Sequence, residues 1–142
     1  MPSSHYCLRR RVQFHETDAA GLVHFSWFFR YMEEAEHALW REAGLSIFSR
    51  DEEVHWPRVA ASFDFHRTLR FEQEFDVRLR IAAITGRTIR YTCLVSRDGA
   101  KIATGALTIA CVRMRRNGPM EAIDIPPEIA ARFQVALDSD DK

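Results

Sequence analysis

One acidic residue, Asp18, stands where a predicted strand gives way to a predicted helix. Positions 19–21 (AAG) are small and let the backbone turn before the helix begins near Phe25. The free N–H groups and the dipole of a helix N-terminus stabilise developing negative charge. A thioester carbonyl placed there would have its oxygen on a main-chain donor, which is worth roughly 2.7–4 kcal/mol in the transition state. Because a carboxylate acting as general base contributes about 10²–10⁴-fold, the two together could hydrolyse a thioester without a metal.

Asp18 also has an ordinary structural interpretation. An aspartate in a loop before a helix commonly accepts hydrogen bonds from nearby main-chain N–H groups, as a turn or cap residue. Spacing alone favours that interpretation, so a catalytic role for Asp18 needs a second argument.

Other kinds of site find no support in the sequence. The six histidines and the three cysteines show no metal-ligand spacing, and we predict neither a metal nor a cofactor. No serine has a Gly-x-Ser-x-Gly setting, and there is no glycine-rich phosphate loop. Cys7, Cys93 and Cys111 are odd in number and far apart, and no signal-like N-terminus is visible, which predicts reduced thiols in a cytoplasmic protein.

Two long elements must position Asp18. Residues 6–14 alternate apolar and polar side chains, with Arg10 as the exception, which predicts a half-buried strand. Residues 25–43 place apolar side chains at helical spacing and charges on the remaining face, and Gly44 is well placed to end the helix. We therefore predict one long amphipathic helix directly after the Asp18 loop.

Four more strands are predicted after an irregular connection over residues 46–57. They cover residues 58–69, 74–85, 88–97 and 101–113. Asp98-Gly99 is a strong hairpin signal between the last two strands. A short helix is predicted to begin at Pro126-Pro127 and to reach Leu137, and residues 138–142 are predicted to be a disordered tail.

This order of elements predicts an α+β domain, because one amphipathic helix needs a sheet to lie on. With 142 residues, 46% hydrophobic and 28% charged, the chain suits one folded domain, which we assign to residues 1–137. Twenty basic and twenty acidic residues cancel, so we expect neither nucleic acid nor a membrane as a partner. The longest apolar-looking run, residues 21–32, is too short and too charged to span a bilayer.

Two segments resemble the hot-dog fold thioesterases of the 4-hydroxybenzoyl-CoA thioesterase family. Residues 17–25 (TDAAGLVHF), followed by the long helix, match that family's motif with its aspartate at Asp18. Residues 61–67 (ASFDFHR) look like its second-strand segment, and the likeness extends over residues 6–125. The resemblance implies a five-stranded antiparallel sheet wrapped around the helix. It also implies dimers, often tetramers, with active sites at the subunit interface.

The resemblance implies roles for individual residues. Asp18 would be the nucleophile or the general base, and the substrate carbonyl would sit against the main-chain N–H near Phe25. Gly21, His24 and Trp27 would contribute to substrate binding. His24 could equally be a surface or interface histidine whose ring is already satisfied. The family pattern also differs here, since many members place an asparagine near the position of Trp27, so the acyl pocket could be narrower or reshaped.

Charged residues elsewhere have weaker support. Arg87, in a predicted hairpin turn, matches a position where the family often uses basic residues for coenzyme A phosphates, although a turn arginine is usually only solvated. Arg67, Arg70 and Arg90 are weaker candidates for the same role. In some hot-dog enzymes a helical carboxylate is catalytic, but here Glu33 and Glu34 fit a solvated or interface face better. The first acidic position of the motif, often aspartate, is Glu16 in this chain.

The favoured function is that of an acyl-CoA thioesterase acting on an aromatic (hydroxybenzoyl- or dihydroxynaphthoyl-like) or a short or medium acyl group. The alternative from another class is a non-catalytic acyl or acyl-CoA binding module in which Asp18 is structural. A purely structural interaction protein is a third possibility. A hydratase would want a histidine paired with an acid at the helix, and His24 with Glu33 is a poor fit. Either coenzyme A or an acyl carrier protein could be the carrier.

Overall fold

A five-stranded antiparallel sheet carries one long helix on one face. The computed structural model describes residues 2–48 and 53–137. The chain runs through β1 (His5–Arg11), α1 (Phe25–Glu42), β2 (Val54–His55), β3 (Arg58–Phe65), β4 (Glu74–Ile84), β5 (Thr88–Arg97), β6 (Ala100–Ala110), β7 (Val112–Met114), β8 (Met120–Ala122) and α2 (Pro127–Ala130). The strand order is β1-β4-β5-β6-β3, so β1 and β3 are the edges. The predicted α+β hot-dog architecture is confirmed.

The core lies between α1 and the inner face of the sheet. In β4 the buried side chains of Val77, Leu79 and Ile81 alternate with half-buried outward-facing residues, as the period of a strand requires. On α1, buried residues such as Tyr31 and Leu39 recur at helical spacing and face the sheet. Because the helix is held along its length, the position of its first turn beside the Asp18 loop is well determined.

The predicted first strand is too long. β1 ends at Arg11, and Phe14 belongs instead to a turn of 3-10 helix (Phe14–Glu16) with its ring 75% exposed. The strand ends there because the chain turns into the 3-10 helix, which the N–H of Gln13 caps by donating to Glu16 Oε1 at 2.9 Å. Arg10, the exception in the apolar alternation, lies on the inner side of the strand. Its guanidinium donates to the buried Glu16 carboxylate at 2.8 Å and lies 4.7 Å from the centre of the Tyr31 ring.

The helix and most of the sheet lie close to their predicted limits. α1 ends one residue before the predicted end at 43, and Gly44 adopts a φ of +80° just beyond it. β5 matches its predicted range, whereas β3 ends at Phe65 rather than at residue 69. The predicted last strand divides into β6 and β7, which Cys111 separates. Within the described ranges, no helix has both the length and the apolar composition needed to cross a membrane.

A second small sheet was not predicted. β2, β7 and β8 pair in the order β2-β7-β8, so the predicted irregular connection contains a strand in its described part. These strands have two or three residues each, which is too short for an apolar period to be visible. α2 is four residues long and does not reach Leu137, because the chain turns at Phe133 to bridge to Ser3. The predicted tail, residues 138–142, lies outside the described residues.

Candidate active site

The loop that carries Asp18 forms a turn closed by the Asp18 carboxylate. The main-chain N–H groups of Ala20 and Leu22 donate to Asp18 Oδ1 at 2.8 and 3.1 Å. Gly21 has a φ of +80°, which glycine adopts without the strain of a side chain. The Asp18 side chain is exposed, and Oδ2 accepts no hydrogen bond from the described residues. One carboxylate oxygen therefore builds the turn while the other is available to a substrate or a water molecule.

Both ends of this loop are attached to buried backbone. The N–H of Val23 donates to Leu69 O at 2.9 Å, and the N–H of His24 donates to Glu16 O at 2.9 Å. Leu22 also forms a bridge to Arg70 at the start of the turn into β4. The loop is consequently held between α1 and the connection from β3 to β4.

The first turn of α1 offers a free donor beside the loop. His24 is the N-cap, and its Nδ1 accepts from the N–H of Ser26 at 3.3 Å. Its ring lies 4.7 Å from the ring of Phe25, which is 61% exposed. No acceptor among the described residues binds the N–H of Phe25. This N–H lies at the positive end of the helix dipole, where an oxyanion is stabilised.

Trp27 lies half-buried at the side of the loop. Its ring is 5.3 Å from that of His15 and 6.2 Å from that of Tyr31. The guanidinium of Arg30 lies 5.3 Å from the centre of the indole. The structure therefore brings Trp27 together with His24, Phe25 and the Asp18 loop at one end of the helix.

Arg87 does not join this group within one chain. It lies in the turn after β4, whereas the Asp18 loop meets the chain just before β4 begins. β4 has 11 residues from Glu74 to Ile84, and the ten steps between them at roughly 3.3 Å each give a separation of about 30 Å. Arg87 Nε donates to Asp124 Oδ1 at 3.1 Å, and both side chains are exposed.

The helical carboxylates Glu33 and Glu34 are occupied by ion pairs. Glu34 Oε1 lies 2.7 Å from Arg10 Nε in an ion pair, and Glu33 Oε2 accepts from Arg58 at 3.2 Å. Both side chains are also partly exposed, which agrees with the prediction that Glu33 and Glu34 lie on a solvated or interface face. Of the weaker phosphate candidates, Arg67 and Arg70 lie near the Asp18 loop in the connection before β4, and Arg90 lies on β5.

Glu16, which differs from the aspartate common at the first acidic position of the motif, is also part of the site. Its side chain is fully buried and accepts from the hydroxyl of Tyr31 at 2.8 Å and from Arg10 at 2.8 Å. Burial, reinforced by the neighbouring carboxylate, raises the pKa of Tyr31 above its ordinary value, so the phenol remains a donor. The signal that could have revealed this cluster is Arg10, the one charged residue at an inward position of β1.

The described residues hold no group of three or more histidine, cysteine, aspartate or glutamate side chains that could bind a metal ion. The loop and the first turn of α1 offer a carboxylate, a helix N-terminal amide and a histidine cap. That combination can activate a nucleophile and stabilise an oxyanion at the same carbonyl.

Comparison with known proteins points to one family. Residues 12–133 match the sequence profile of the Thioesterase-like superfamily. A protein of Aquifex aeolicus provisionally named an esterase is 33% identical over 125 residues, which are 87% of this chain and 94% of the relative. A 1,4-dihydroxy-2-naphthoyl-CoA hydrolase of Synechococcus elongatus is 27% identical over 120 residues, which are 81% of this chain and 88% of the relative. The crystal structure of a hypothetical protein from Aquifex aeolicus superposes with a TM-score of 0.83 at 29% identity and covers 91% of this chain and 99% of that one. Because the profile spans most of the sequence, the chain belongs to the Thioesterase-like superfamily.

Proposed function

We propose that the protein is a cytoplasmic acyl-CoA thioesterase of the 4-hydroxybenzoyl-CoA thioesterase type, with Asp18 as its catalytic carboxylate. One observation carries the proposal. An unengaged carboxylate oxygen of Asp18 and an unengaged N–H of Phe25 lie at the same junction between a loop and a helix. First-turn N–H groups have no partner within any helix, so the support lies in the exposed carboxylate that this junction places beside one of them.

The substrate carbonyl oxygen accepts a hydrogen bond from the N–H of Phe25, at the positive end of α1. Asp18 then acts in one of two ways. As a nucleophile it attacks the carbonyl carbon, the C–S bond breaks, and water hydrolyses the resulting anhydride. As a general base it removes a proton from a water molecule that attacks the same carbon. Either route ends with a free carboxylic acid and the thiol of the carrier.

Aromatic side chains beside the helix N-terminus favour an aromatic acyl group. The ring of Phe28 lies 5.1 Å from that of Phe65 and 5.9 Å from that of Phe63, while Phe25 and Trp27 flank the loop. Aromatic pairs in offset or edge-to-face arrangements gain about 0.5–1.5 kcal/mol beyond simple burial. The relative from Synechococcus elongatus is named for a dihydroxynaphthoyl substrate. We therefore favour a hydroxybenzoyl- or dihydroxynaphthoyl-like group over a short or medium aliphatic one.

The edge strand β3 supports a homo-oligomer with the active site at its interface. Val59 and Phe65 are 58% and 47% exposed, and β3 pairs only with β6 among the described strands. Such an edge is a template for pairing with a second chain. Two copies related by a two-fold axis in one continuous sheet would pair their β3 strands antiparallel.

That pairing would also explain the position of Arg87. Arg58 of β3 and Ile89 of β5 both pair with Ile109, so the Arg87 turn lies at the Arg58 end of the sheet. Antiparallel pairing brings that end of the second copy toward the Asp18 end of the first. Arg87 would then supply a cation for the coenzyme A phosphates from the neighbouring subunit, as the resemblance implies.

A non-catalytic acyl-CoA binding module is the second candidate. The observation that favours it is the turn itself, because Asp18 Oδ1 accepts two main-chain hydrogen bonds as a structural aspartate would. Binding without turnover is the result that would distinguish this function from catalysis.

The test follows thiol release from aromatic and aliphatic acyl-CoAs by the native protein, by Asp18→Asn and by Asp98→Asn. Asp98 is an exposed aspartate in the turn between β5 and β6 and serves as the matched control. We expect the native protein to turn over an aromatic acyl-CoA. The rate of thiol release should fall about 10²-fold or more in Asp18→Asn and should not fall in Asp98→Asn. Full activity in Asp18→Asn would contradict the role of Asp18. Binding of acyl-CoA without any thiol release by the native protein would favour the binding module.

A further inference from the structure

The buried carboxylate of Glu16 connects three separate parts of the protein. Oε1 accepts from the hydroxyl of Tyr31 on α1 at 2.8 Å and from the N–H of Gln13 at 2.9 Å. Oε2 accepts from Arg10 on β1 at 2.8 Å. A buried carboxylate is costly unless it is paired and hydrogen-bonded, so these three donors together hold Glu16 in one position.

The main chain of Glu16 reaches the Asp18 loop directly. Glu16 O accepts from the N–H of His24 at 2.9 Å, which joins the two ends of the loop. Asp18 lies between these residues, and Phe25 follows His24. Movement of Glu16 would therefore change the position of the Asp18 carboxylate relative to the N–H of Phe25.

The side-chain contacts of Glu16 extend this connection into the helix and the sheet. The ring of Tyr31 packs 4.9 Å from that of Phe75 on β4, so its hydroxyl is held in a rigid setting. Arg10 also forms an ion pair with Glu34 on α1 at 2.7 Å, and its guanidinium lies over the ring of Tyr31. These contacts thus fix the position of the Asp18 loop relative to α1, the helix whose first N–H would bind the substrate carbonyl.

We propose that Glu16 is a positioning residue that sets the distance between the Asp18 carboxylate and the Phe25 N–H, acting through Tyr31 and Arg10 without touching the substrate. The inference rests on the proposed function and assigns a role to a residue outside the reacting groups. A misplacement of about 1 Å at a catalytic group can cost about 10²-fold in rate. Loss of the Glu16 charge should therefore lower kcat more than it changes substrate binding.

Glu36, on α1, provides a matched control. Its carboxylate is also fully buried and is bound by Arg58, with Tyr91 as a further partner. Those partners lie on β3 and β5, and none of them contacts the Asp18 loop. Glu16→Gln and Glu36→Gln therefore remove equivalent buried charges, only one of which is attached to the site.

The experiment measures kcat, KM and Tm for the native protein and both variants. We expect both substitutions to lower Tm. Glu16→Gln should lower kcat about 10- to 100-fold with KM unchanged, whereas Glu36→Gln should leave both constants unchanged. Equal kcat values in the two variants would overturn the positioning role, as would a change confined to KM. Because the native protein is measured alongside, an absence of thiol release by it would overturn the proposed function and this inference together.

Tyr31→Phe keeps the proposal testable if Glu16→Gln does not fold. It removes one donor to Glu16 Oε1 and keeps the packing of the ring. We expect a smaller loss in kcat, again with KM unchanged. Where Glu16→Gln does fold, the two losses in kcat should be less than additive in the double variant, because they act through the same contact. Full kcat in Tyr31→Phe would contradict the proposal.

Discussion

Asp18 and Leu22 are hydrogen-bonded to each other in both directions. The N–H of Leu22 donates to Asp18 Oδ1 at 3.1 Å, and the N–H of Asp18 donates to Leu22 O at 2.7 Å. The pair closes the turn with only one of the two carboxylate oxygens. Substitutions of Asp18 can therefore distinguish its role in holding the turn from its role in catalysis.

Asp18→Asn and Asp18→Ala should differ in stability but not in activity. Asparagine retains an oxygen that can accept the hydrogen bonds from Ala20 and Leu22, so its Tm should match that of the native protein. Alanine loses them, which should cost about 1 kcal/mol of unfolding free energy. Both variants should lose thiol release. Retained activity in Asp18→Ala, measured beside thermal unfolding, would mean that the carboxylate is not catalytic.

Val59→Lys should prevent association through β3. Val59 is 58% exposed on the edge strand, and a lysine there opposes pairing with another edge. We expect sedimentation to show a native homo-oligomer and a monomeric variant, with thiol release lost together with association. A native protein that sediments as a monomer and still turns over substrate would contradict the interface site. Val135→Lys, at an exposed position outside the sheet, is the control.

Arg58→Met should be strongly destabilising because it leaves the Glu36 carboxylate buried without its cation. Breaking a buried pair in this way costs about 3–5 kcal/mol, whereas replacing both partners by methionine should recover most of it. Denaturant unfolding of the two variants measures the difference. Arg11→Met, whose partner Glu74 is on the surface, should leave stability unchanged.

The stability of Arg58→Met should change with pH in a defined direction. Burial raises the pKa of Glu36, and the charge and hydrogen bonds of Arg58 oppose that rise. With Arg58 removed, the folded state holds a proton on Glu36 at pH values where the unfolded chain has released it. Stability should therefore be lost as pH rises above the unfolded pKa of about 4.5. Equal unfolding free energies for Arg58→Met at pH 5 and pH 8 would contradict this.

His37 should reduce stability at acidic pH. Burial lowers its pKa below 6.5; Arg58 and Arg41 act in the same direction, and Glu33 opposes them. Because the unfolded chain binds the proton first as pH falls, stability should decrease as pH falls through 6.5. His37→Gln removes this titration, so its Tm should fall less between pH 8 and pH 5.5 than that of the native protein. Parallel pH profiles would show that His37 is not responsible.

Long regular elements were predictable from the sequence because their signals are local. The helix was predicted over residues 25–43 and runs Phe25–Glu42, and β5 was predicted at its observed limits. Helical and strand periods, together with turn residues such as Asp98-Gly99, need no information about distant residues. β2 could not be predicted in this way, since Val54 becomes a strand only by pairing with Arg113, far along the chain.

The sequence by itself determined the order of the long helix and the five main strands and placed Asp18 between a strand and a helix. The resemblance of residues 17–25 to a thioesterase motif, and not this placement alone, indicated an acyl-transfer chemistry. Only the tertiary structure decided what Arg10 binds on the inner side of β1, because folding brings the buried carboxylate of Glu16 and the ring of Tyr31 to it. The tertiary structure also separated Arg87 from Asp18 by the length of β4. A motif records which groups are close along the chain, whereas burial and pairing of charges depend on which distant residues the sheet brings together.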